Sequence, residues 1–212
     1  MKQISKLQYI TTSTIQTEQA CDVGVDWVQL RLKNISFEEY KAIAIQVQAV
    51  CKRYGAKLII NDNVYVAMAI HADGVHLGKE DMSYAEARLL LGDDYIIGGS
   101  TNTIDDIIQL SQEPIDYLGL GPFRFTSTKE KLNPIVGLEG YQRIVNELKN
   151  KSVSVPPLVG IGGIEEQDVA DILSAGLYGI AVSGAISNSF KPGLAAENFL
   201  RLCNQTYSSI IN

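Results

Sequence analysis

Eight short apolar runs alternate with amphipathic stretches along the chain, and this alternation constrains the fold more than any other feature. Short runs of β-branched and apolar residues are typical of buried strands. The predicted strands are Leu7–Thr12, Trp27–Lys33, Lys57–Asn61, Gly74–Leu77, Tyr95–Gly99, Tyr117–Gly121, Leu158–Gly162 and Gly179–Ser183. Between most of them, apolar residues recur at three- and four-residue intervals, as in the predicted helix from Phe37 to Tyr54. Strands that alternate with helices pair in parallel through right-handed crossovers.

Two architectures fit eight such units, an open doubly wound sheet and a closed (β/α)8 barrel. The chain has 212 residues, close to the lower limit of roughly 200 residues for such a barrel. It contains no linker, low-complexity segment or run of charges, so we expect residues 1–212 to form a single domain. The first predicted helix, near Thr17–Val23, is very short.

The charge of the chain excludes one broad class of function. The formal net charge is −6, whereas proteins that bind nucleic acid are usually basic, so no nucleic-acid partner is expected. The composition, 46% hydrophobic and 20% charged, is ordinary for a soluble globular protein. A phosphorylated small-molecule substrate is compatible with the acidic balance, because a few cations clustered in one cleft are enough to bind it.

Neither a membrane segment nor a disulfide framework is expected. No stretch approaches the roughly 20 apolar residues that cross a bilayer, and the N-terminus lacks the pattern of an export signal. Cys21, Cys51 and Cys203 are widely spaced and form no CxxC motif, which argues against a zinc site or a set of disulfides. These features predict a cytoplasmic protein. The sequence leaves open whether the chain forms a homo-oligomer.

The second predicted strand carries a polar face. Side chains alternate along a strand, so Gln29, Arg31 and Lys33 share one side of it. Two cations and an amide inside a barrel are costly to bury without a partner, and a bound anion supplies that partner. The alternative is an edge strand of an open sheet, whose polar face meets water.

Acidic and amide side chains end the third and fourth strands. Asn61 and Asp62 close the third strand, and Asp81 follows the fourth. The carboxyl ends of parallel barrel strands meet at one end of the fold. Two carboxylates there, with phosphate oxygens and water, suit Mg²⁺. Alternatively, the Asn-Asp pair is a turn signal and Asp81 is an acidic residue at a helix start.

Hydroxyl side chains follow the fifth and sixth strands. Ser100 either binds a ligand or caps the next helix, and Thr103 is a competing cap. The long segment Pro122–Leu138 carries three hydroxyl residues and a lysine, namely Thr126, Ser127, Thr128 and Lys129. These side chains offer several donors to phosphate oxygens. The alternative is a polar surface turn.

Small-residue turns follow the seventh and eighth strands, at Gly162-Gly163 and at Ser183-Gly184. Glycine lets backbone N–H groups approach a phosphate closely, and the start of a helix adds positive potential. Tight turns alone would also explain the glycines. However, this pair of loops is a frequent phosphate site in barrels, and the pattern favours phosphate.

The two histidines form no recognisable acid–base pair. His71 is expected at a helix end near solvent, and His76 is expected as an interior imidazole of the fourth strand. Histidine is the commonest general acid or base, but nothing in the sequence positions a partner for either ring. No GxSxG, P-loop or HExxH motif is present.

Together, these segments resemble the thiamine phosphate synthase family across nearly the whole chain. The matching runs, in order, are GVDWVQLRLK, LIINDN, ADGVHLGKED, GGST, GLGPFRFTSTKEK, VGLEG, VGIGGI and AVSGAI. The resemblance implies a (β/α)8 TIM barrel with a closed parallel sheet. It also implies a magnesium-dependent transferase that couples hydroxymethylpyrimidine diphosphate to hydroxyethylthiazole phosphate, giving thiamine phosphate and diphosphate.

The resemblance assigns roles to individual residues. Those implied to bind the pyrimidine diphosphate are Gln29, Leu30, Arg31, Leu32, Lys33, Asn61, Ser100 and Lys129. Those implied to bind the thiazole phosphate are Thr126, Ser127, Thr128, Gly162, Gly163, Ser183 and Gly184. The implied magnesium ligands are Asp62 and Asp81. The implied catalytic residues are Arg31, Lys33, Ser100 and Lys129.

The chemistry implied by the resemblance suits these residue types. Diphosphate leaves the pyrimidine methylene, a resonance-stabilised cation remains, and the thiazole nitrogen attacks it. The protein then has to stabilise a departing anion and align two partners. No general base is needed, because the ring nitrogen already has a lone pair.

Two positions depart from the family pattern. Asn102 stands where relatives often carry histidine, and the serine of the Ser183-Gly184 turn lies one position earlier than usual. The related thiazole tautomerases use a histidine at the position of Asn102, so this chain is closer to a synthase. A non-catalytic regulatory relative that binds thiazole phosphate is a further alternative. Retention of Asp62 and Asp81 argues against it, because a passive binder has less need of a metal.

Overall fold

The fold is taken from a computed structural model, which describes residue 2, residues 4–125 and residues 134–210, with side chains up to residue 205. Eight parallel strands follow one another around the barrel in chain order. The strands are β1 (Leu7–Thr11), β2 (Trp27–Leu30), β3 (Lys57–Asn61), β4 (Gly74–Leu77), β5 (Ile96–Thr101), β6 (Tyr117–Leu120), β7 (Leu158–Ile161) and β8 (Gly179–Val182). Strand β1 also pairs with β8, which closes the sheet. The closed barrel confirms the fold that the resemblance implied and excludes the open doubly wound sheet.

Helices connect the strands on the outside of the barrel. They are α1 (Thr14–Asp22), α2 (Phe37–Tyr54), α3 (Val64–Ile70), α4 (Tyr84–Leu91), α5 (Ile104–Leu110), α6 (Gly137–Asn150), α7 (Val169–Ser174), α8 (Gly184–Ser187) and α9 (Pro192–Ile210). A 3₁₀ turn, Glu166–Asp168, precedes α7. Helix α1 begins three residues before its predicted start, because the Ser13 side chain caps it by accepting the backbone N–H of Gln16.

The predicted ends of two strands were wrong by two or more residues, and four other strands end one residue before their predicted ends. Strand β2 ends at Leu30, three residues before Lys33, and the N–H of Arg31 donates to Thr11 O at 2.9 Å. Arg31 and Lys33 therefore lie in the loop beyond β2 and do not share a strand face with Gln29. Strand β5 instead runs on to Thr101, which places Ser100 within the sheet.

Along β2 and β3 the barrel interior changes from apolar to polar. An apolar cluster fills the interior and is formed by Ile4, Ile10, Trp27, Ile59, Ile96, Tyr117, Val159 and Ala181. Two residues further along β2 and β3, on the same face, come the buried polar residues Gln29 and Asn61. The polar layer thus lies towards the carboxyl ends of the strands, where barrels carry their active sites.

Candidate active site

Polar side chains gather at the carboxyl ends of β2 to β5. Asn61 is the last residue of β3 and is 5% exposed, and its side-chain nitrogen Nδ2 has no hydrogen-bond partner among the described residues. Leaving a buried donor unpaired costs free energy, roughly 1–3 kcal/mol. Asn61 therefore offers a donor that a ligand oxygen at this end of the barrel would satisfy.

A cation and a carboxylate meet directly above β3. The Lys33 ammonium forms an ion pair with Asp62 Oδ2, and the Lys33 side chain is 49% exposed. Asp62 has a positive φ of 64°, and its backbone N–H donates to His76 O at 2.8 Å. The loop after β2 thus brings Lys33 to the end of β3, although the predicted strand does not reach it.

Asp81 lies beside this ion pair. Its Oδ2 accepts the backbone N–H of Gly78 at 2.6 Å. Partial burial raises the pKa of the Asp81 carboxyl, the nearby Asp62 carboxyl adds to this effect, and the Gly78 hydrogen bond and Lys33 oppose it. Because Asp62 influences the pKa of Asp81, the two predicted magnesium ligands are neighbours. Two adjacent carboxylates repel, and a shared cation would relieve the repulsion.

The alternatives for Asp81 and Ser100 are not favoured. Helix α4 begins at Tyr84 and is capped by Ser83, so Asp81 does not start it. Helix α5 is capped by Thr103, whose Oγ1 accepts the N–H of Asp106 at 3.1 Å. Ser100 is therefore not a helix cap, and its hydroxyl oxygen lies 2.9 Å from His76 Nε2.

The other residues of the segment from Gln29 to Lys33 differ in whether their side chains can reach a ligand. Gln29 is 2% exposed and bonds to Gln8 inside the barrel. Leu30 packs in the cluster between sheet and helices, and its carbonyl accepts the Tyr40 hydroxyl at 2.7 Å. Its side chain therefore does not face the barrel interior. Arg31 and Leu32 are partly buried in the loop beyond the strand.

The turns after β7 and β8 lie at the same end of the barrel. Gly162 and Gly163 have positive φ angles of 98° and 68°. A Cβ atom on Gly162 would lie 2.8 Å from Pro122 Cβ, so the close packing of these two loops requires glycine. Ser183 directly precedes α8 and makes no side-chain cap, and its carbonyl accepts the N–H groups of Ile186 and Ser187. The N–H groups of Gly184 and Ala185, at the very start of the helix, have no intrahelical acceptor.

Two side chains that the residue patterns did not single out hold these loops together. Arg124 donates to both carboxylate oxygens of Asp168 at 2.9 Å and to Gly163 O at 2.8 Å. The side-chain nitrogen of Asn102 donates to Gly121 O at 2.8 Å and to Pro134 O at 3.0 Å. Asn102 thereby joins the two ends of the segment that contains Thr126, Ser127, Thr128 and Lys129, which lie outside the described residues. The sequence contained only one hint of these contacts, namely that Asn102 departs from the family pattern.

The histidines lie where they were predicted. His71 ends α3 with a positive φ of 52° and is exposed. His76 is 6% exposed within β4, and its Nδ1 lies 3.0 Å from the Tyr117 hydroxyl. Sequence patterns missed this partner, since Tyr117 is 41 residues away.

The described part of the chain meets the requirements neither of a complete metal site nor of a membrane-spanning helix. It contains no cluster of three or more His, Cys, Asp or Glu side chains arranged to hold a metal ion. Among these residues, too, no helix combines the length and the apolar character that crossing a bilayer requires. The paired Asp62 and Asp81 could thus supply only part of a metal's ligands, and other oxygens would complete the set.

Comparisons with known proteins agree on one family. The family model for thiamine monophosphate synthase matches residues 4–186. A thiamine-phosphate synthase from Flavobacterium psychrophilum is 46% identical over 194 residues, covering 89% of this chain and 94% of that relative. Another from Flavobacterium johnsoniae is 43% identical over 213 residues, covering 98% and 99%.

A solved structure supports the same assignment. The thiamine phosphate pyrophosphorylase from Pyrococcus furiosus matches with a TM-score of 0.83 and 30% identity, covering 95% of this chain and 96% of that one. The long matches in sequence and in structure confirm the family that the sequence motifs resemble. The chain belongs to the thiamine monophosphate synthase family and is a transferase of that type.

Proposed function

We propose that the chain couples hydroxymethylpyrimidine diphosphate to hydroxyethylthiazole phosphate and releases diphosphate. The observation that carries the proposal is the convergence of Lys33, Asp62, Asp81 and the unpaired donor of Asn61 at the carboxyl end of the barrel. This group can bind a metal-chelated diphosphate, because it combines a cation, two hard carboxylates and a neutral donor.

The residues at this site fit Mg²⁺. The ion commonly takes one or two protein carboxylates and completes its coordination with substrate phosphate oxygens and water. Asp62 and Asp81 supply two carboxylates that already interact with each other. When bound, the ion would neutralise charge that develops on the departing diphosphate.

The side chains around the carboxylates serve the leaving group. Lys33 and Arg31 provide positive charge near the diphosphate, and Ser100 and Asn61 provide neutral donors. Lys129 is proposed for the same role on the family resemblance alone. Positive charge aimed at an anion that forms in the transition state lowers the barrier to a dissociative departure.

The two glycine-containing turns serve the second substrate. The turn at Gly162-Gly163 and the start of α8 at Ser183-Gly184 present backbone N–H groups, which bind phosphate oxygens without needing a particular side chain. The earlier position of Ser183 is therefore a mild change. A phosphate held here would orient the thiazole nitrogen for attack.

The geometry gives less support to a proton-transfer reaction. The resemblance implies that a thiazole tautomerase uses a histidine at position 102, whereas the amide of Asn102 cannot take up or release a proton in the same way. Its side-chain amide donates instead to the carbonyl groups of Gly121 and Pro134.

The direct test is a product assay. Purified protein is mixed with both phosphorylated substrates and Mg²⁺, and thiamine phosphate and diphosphate are quantified over time. We expect the two products in equal amounts and no turnover after EDTA treatment, with recovery when Mg²⁺ is returned in excess. Absence of both products under all metal conditions, from a protein that still binds thiazole phosphate, would favour the regulatory alternative.

Arg124 provides a prediction for the thiazole phosphate side. Replacing it with alanine removes one hydrogen bond to Gly163 O and two to the Asp168 carboxylate, which together tie Arg124 to the loop after β7. We expect the KM for thiazole phosphate to rise roughly 3- to 10-fold, because the loop loses its orientation. The matched control is Arg53→Ala, which breaks an exposed ion pair with Glu18 between α1 and α2. Equal KM values in both variants would remove Arg124 from the phosphate site.

A further inference from the structure

A chain of hydrogen bonds crosses the barrel interior and ends at Ser100. Gln29 Nε2 donates to Gln8 Oε1 at 2.9 Å, and Gln8 Nε2 donates to the Tyr117 hydroxyl at 3.1 Å. The Tyr117 hydroxyl lies 3.0 Å from His76 Nδ1, and His76 Nε2 lies 2.9 Å from Ser100 Oγ. Five strands each contribute one side chain to this chain of bonds.

Two of the four bonds have a fixed direction, from Gln29 to Gln8 and from Gln8 to Tyr117, and the direction of the other two depends on the tautomer of His76. The Gln8 amide donates to the Tyr117 oxygen, and if the phenolic proton is directed at His76 Nδ1, all four bonds run in the same direction. Burial raises the pKa of Tyr117, so the phenol keeps that proton. An accepting Nδ1 fixes the neutral imidazole as the tautomer that carries its proton on Nε2.

The last bond sets the orientation of Ser100. With a proton on His76 Nε2, the imidazole donates to Ser100 Oγ. The serine hydroxyl then accepts from within the barrel and keeps its own proton to donate elsewhere. Ser100 lies near the carboxyl end of β5, the end at which Asn61 and the Lys33–Asp62 pair are found.

Residues of the neighbouring strands pack closely against the two rings in this chain of hydrogen bonds, the Tyr117 phenol and the His76 imidazole. Gly98 of β5 lies against the Tyr117 ring, and a Cβ atom there would overlap the ring. A Cβ atom on Gly119 of β6 would lie 3.3 Å from His76 Cε1. The Tyr117 ring also packs against Trp27, with ring centroids 4.9 Å apart. The imidazole and the phenol therefore have little freedom to turn away from their partners.

We propose that His76 and Tyr117 are positioning residues that hold the Ser100 hydroxyl as a hydrogen-bond donor to the bound diphosphate. The proposal rests on the coupling function proposed above, which supplies the diphosphate. Hydrogen bonds that run in one direction polarise one another, so the donor strength of Ser100 depends on the whole chain of bonds back to Gln29. A fixed donor needs no reorganisation when negative charge develops on the leaving group.

The first test measures the tautomer and needs no substrate. The protein has two histidines, so ¹⁵N-labelled His71→Asn protein leaves His76 as the only imidazole. Asparagine also tolerates the positive φ of position 71. We expect two-bond ¹H–¹⁵N spectra to show a proton on Nε2, and Tyr117→Phe in this background to reduce the population of that tautomer. A proton on Nδ1 in the His71→Asn protein would reverse the direction of the chain and overturn the proposal.

The second test is a double-mutant cycle on turnover. Removing one preorganised donor costs on the order of 100-fold in kcat, so we expect that loss for Ser100→Ala and roughly 10-fold for Tyr117→Phe. In the Ser100→Ala background, Tyr117→Phe should change kcat by less than about 2-fold, because its effect passes through Ser100. Losses that multiply fully would mean that Tyr117 acts independently of Ser100 and would overturn the proposal.

The control separates positioning from the general cost of losing a tyrosine hydroxyl. Tyr178→Phe removes a hydrogen bond to Ile4 O near the amino-terminal end of the barrel and should leave kcat unchanged. Absence of turnover in unmutated protein would count against the coupling function, whereas the tautomer measurement would still decide the direction of the hydrogen bonds.

Discussion

Replacing Asp62 with asparagine will lower turnover by at least about 100-fold while the protein remains folded. The substitution removes the carboxylate that pairs with Lys33 and interacts with Asp81, and with it one of the two oxygen ligands proposed for Mg²⁺. Asparagine tests the carboxylate more specifically than alanine does, because Asp62 has a φ of 64° and asparagine tolerates that backbone conformation. The measurement is kcat with both substrates at saturating Mg²⁺, together with the unfolding midpoint.

The matched control for this change is Asp93→Asn. Asp93 is an exposed aspartate next to the end of α4, so the variant loses the same charge away from the carboxyl end of the barrel. We expect turnover like that of the unmutated protein. If Asp62→Asn kept that rate as well, the carboxylate pair would not be the metal site.

Replacing Trp27 with alanine will destabilise the barrel by about 3–5 kcal/mol. Trp27 is fully buried in the interior cluster and makes an edge-to-face contact with Tyr117, and truncating such a side chain leaves a cavity. Unfolding in urea, followed by circular dichroism, measures the loss. Circular dichroism is needed because Trp27 is the only tryptophan in the chain, and its removal also removes the usual fluorescence signal.

Trp27→Phe is the control for this second prediction. Its ring fills much of the same space, and it lacks the indole nitrogen, which is buried without a hydrogen-bond partner among the described residues. We expect a clearly smaller loss of stability than for alanine. Similar losses in the two variants would show that the interior cluster depends on the full indole.

The sequence predicted the fold better than it predicted the ends of individual strands. The alternation of apolar runs and amphipathic stretches located all eight strands, because burial on both faces of a parallel strand is visible in a short window. The end of β2 depends on its neighbour, since the last bond, from Arg31 N–H to Thr11 O, is made to another strand. Arg31 and Lys33 were therefore assigned to a strand that does not extend that far.

For the site, local patterns identified residue types more readily than partners. Thr103, which the sequence offered as a helix cap in competition with Ser100, caps α5 through Asp106, a residue only three positions away. The pairing of Arg124 with Asp168 joins residues 44 positions apart, and no local pattern predicts it. The same holds for Asn102, which gave no signal beyond its departure from the family pattern.

By itself the sequence determined the βα repeat and the presence of polar residues where strands end, because each of these follows from a pattern within a few residues. Only the tertiary structure decided that β8 returns to β1, that Lys33 meets Asp62, and that Tyr117 and His76 lead to Ser100. The physical reason is that these contacts form between side chains on different strands. They come within hydrogen-bonding distance only after the barrel has closed and buried them together.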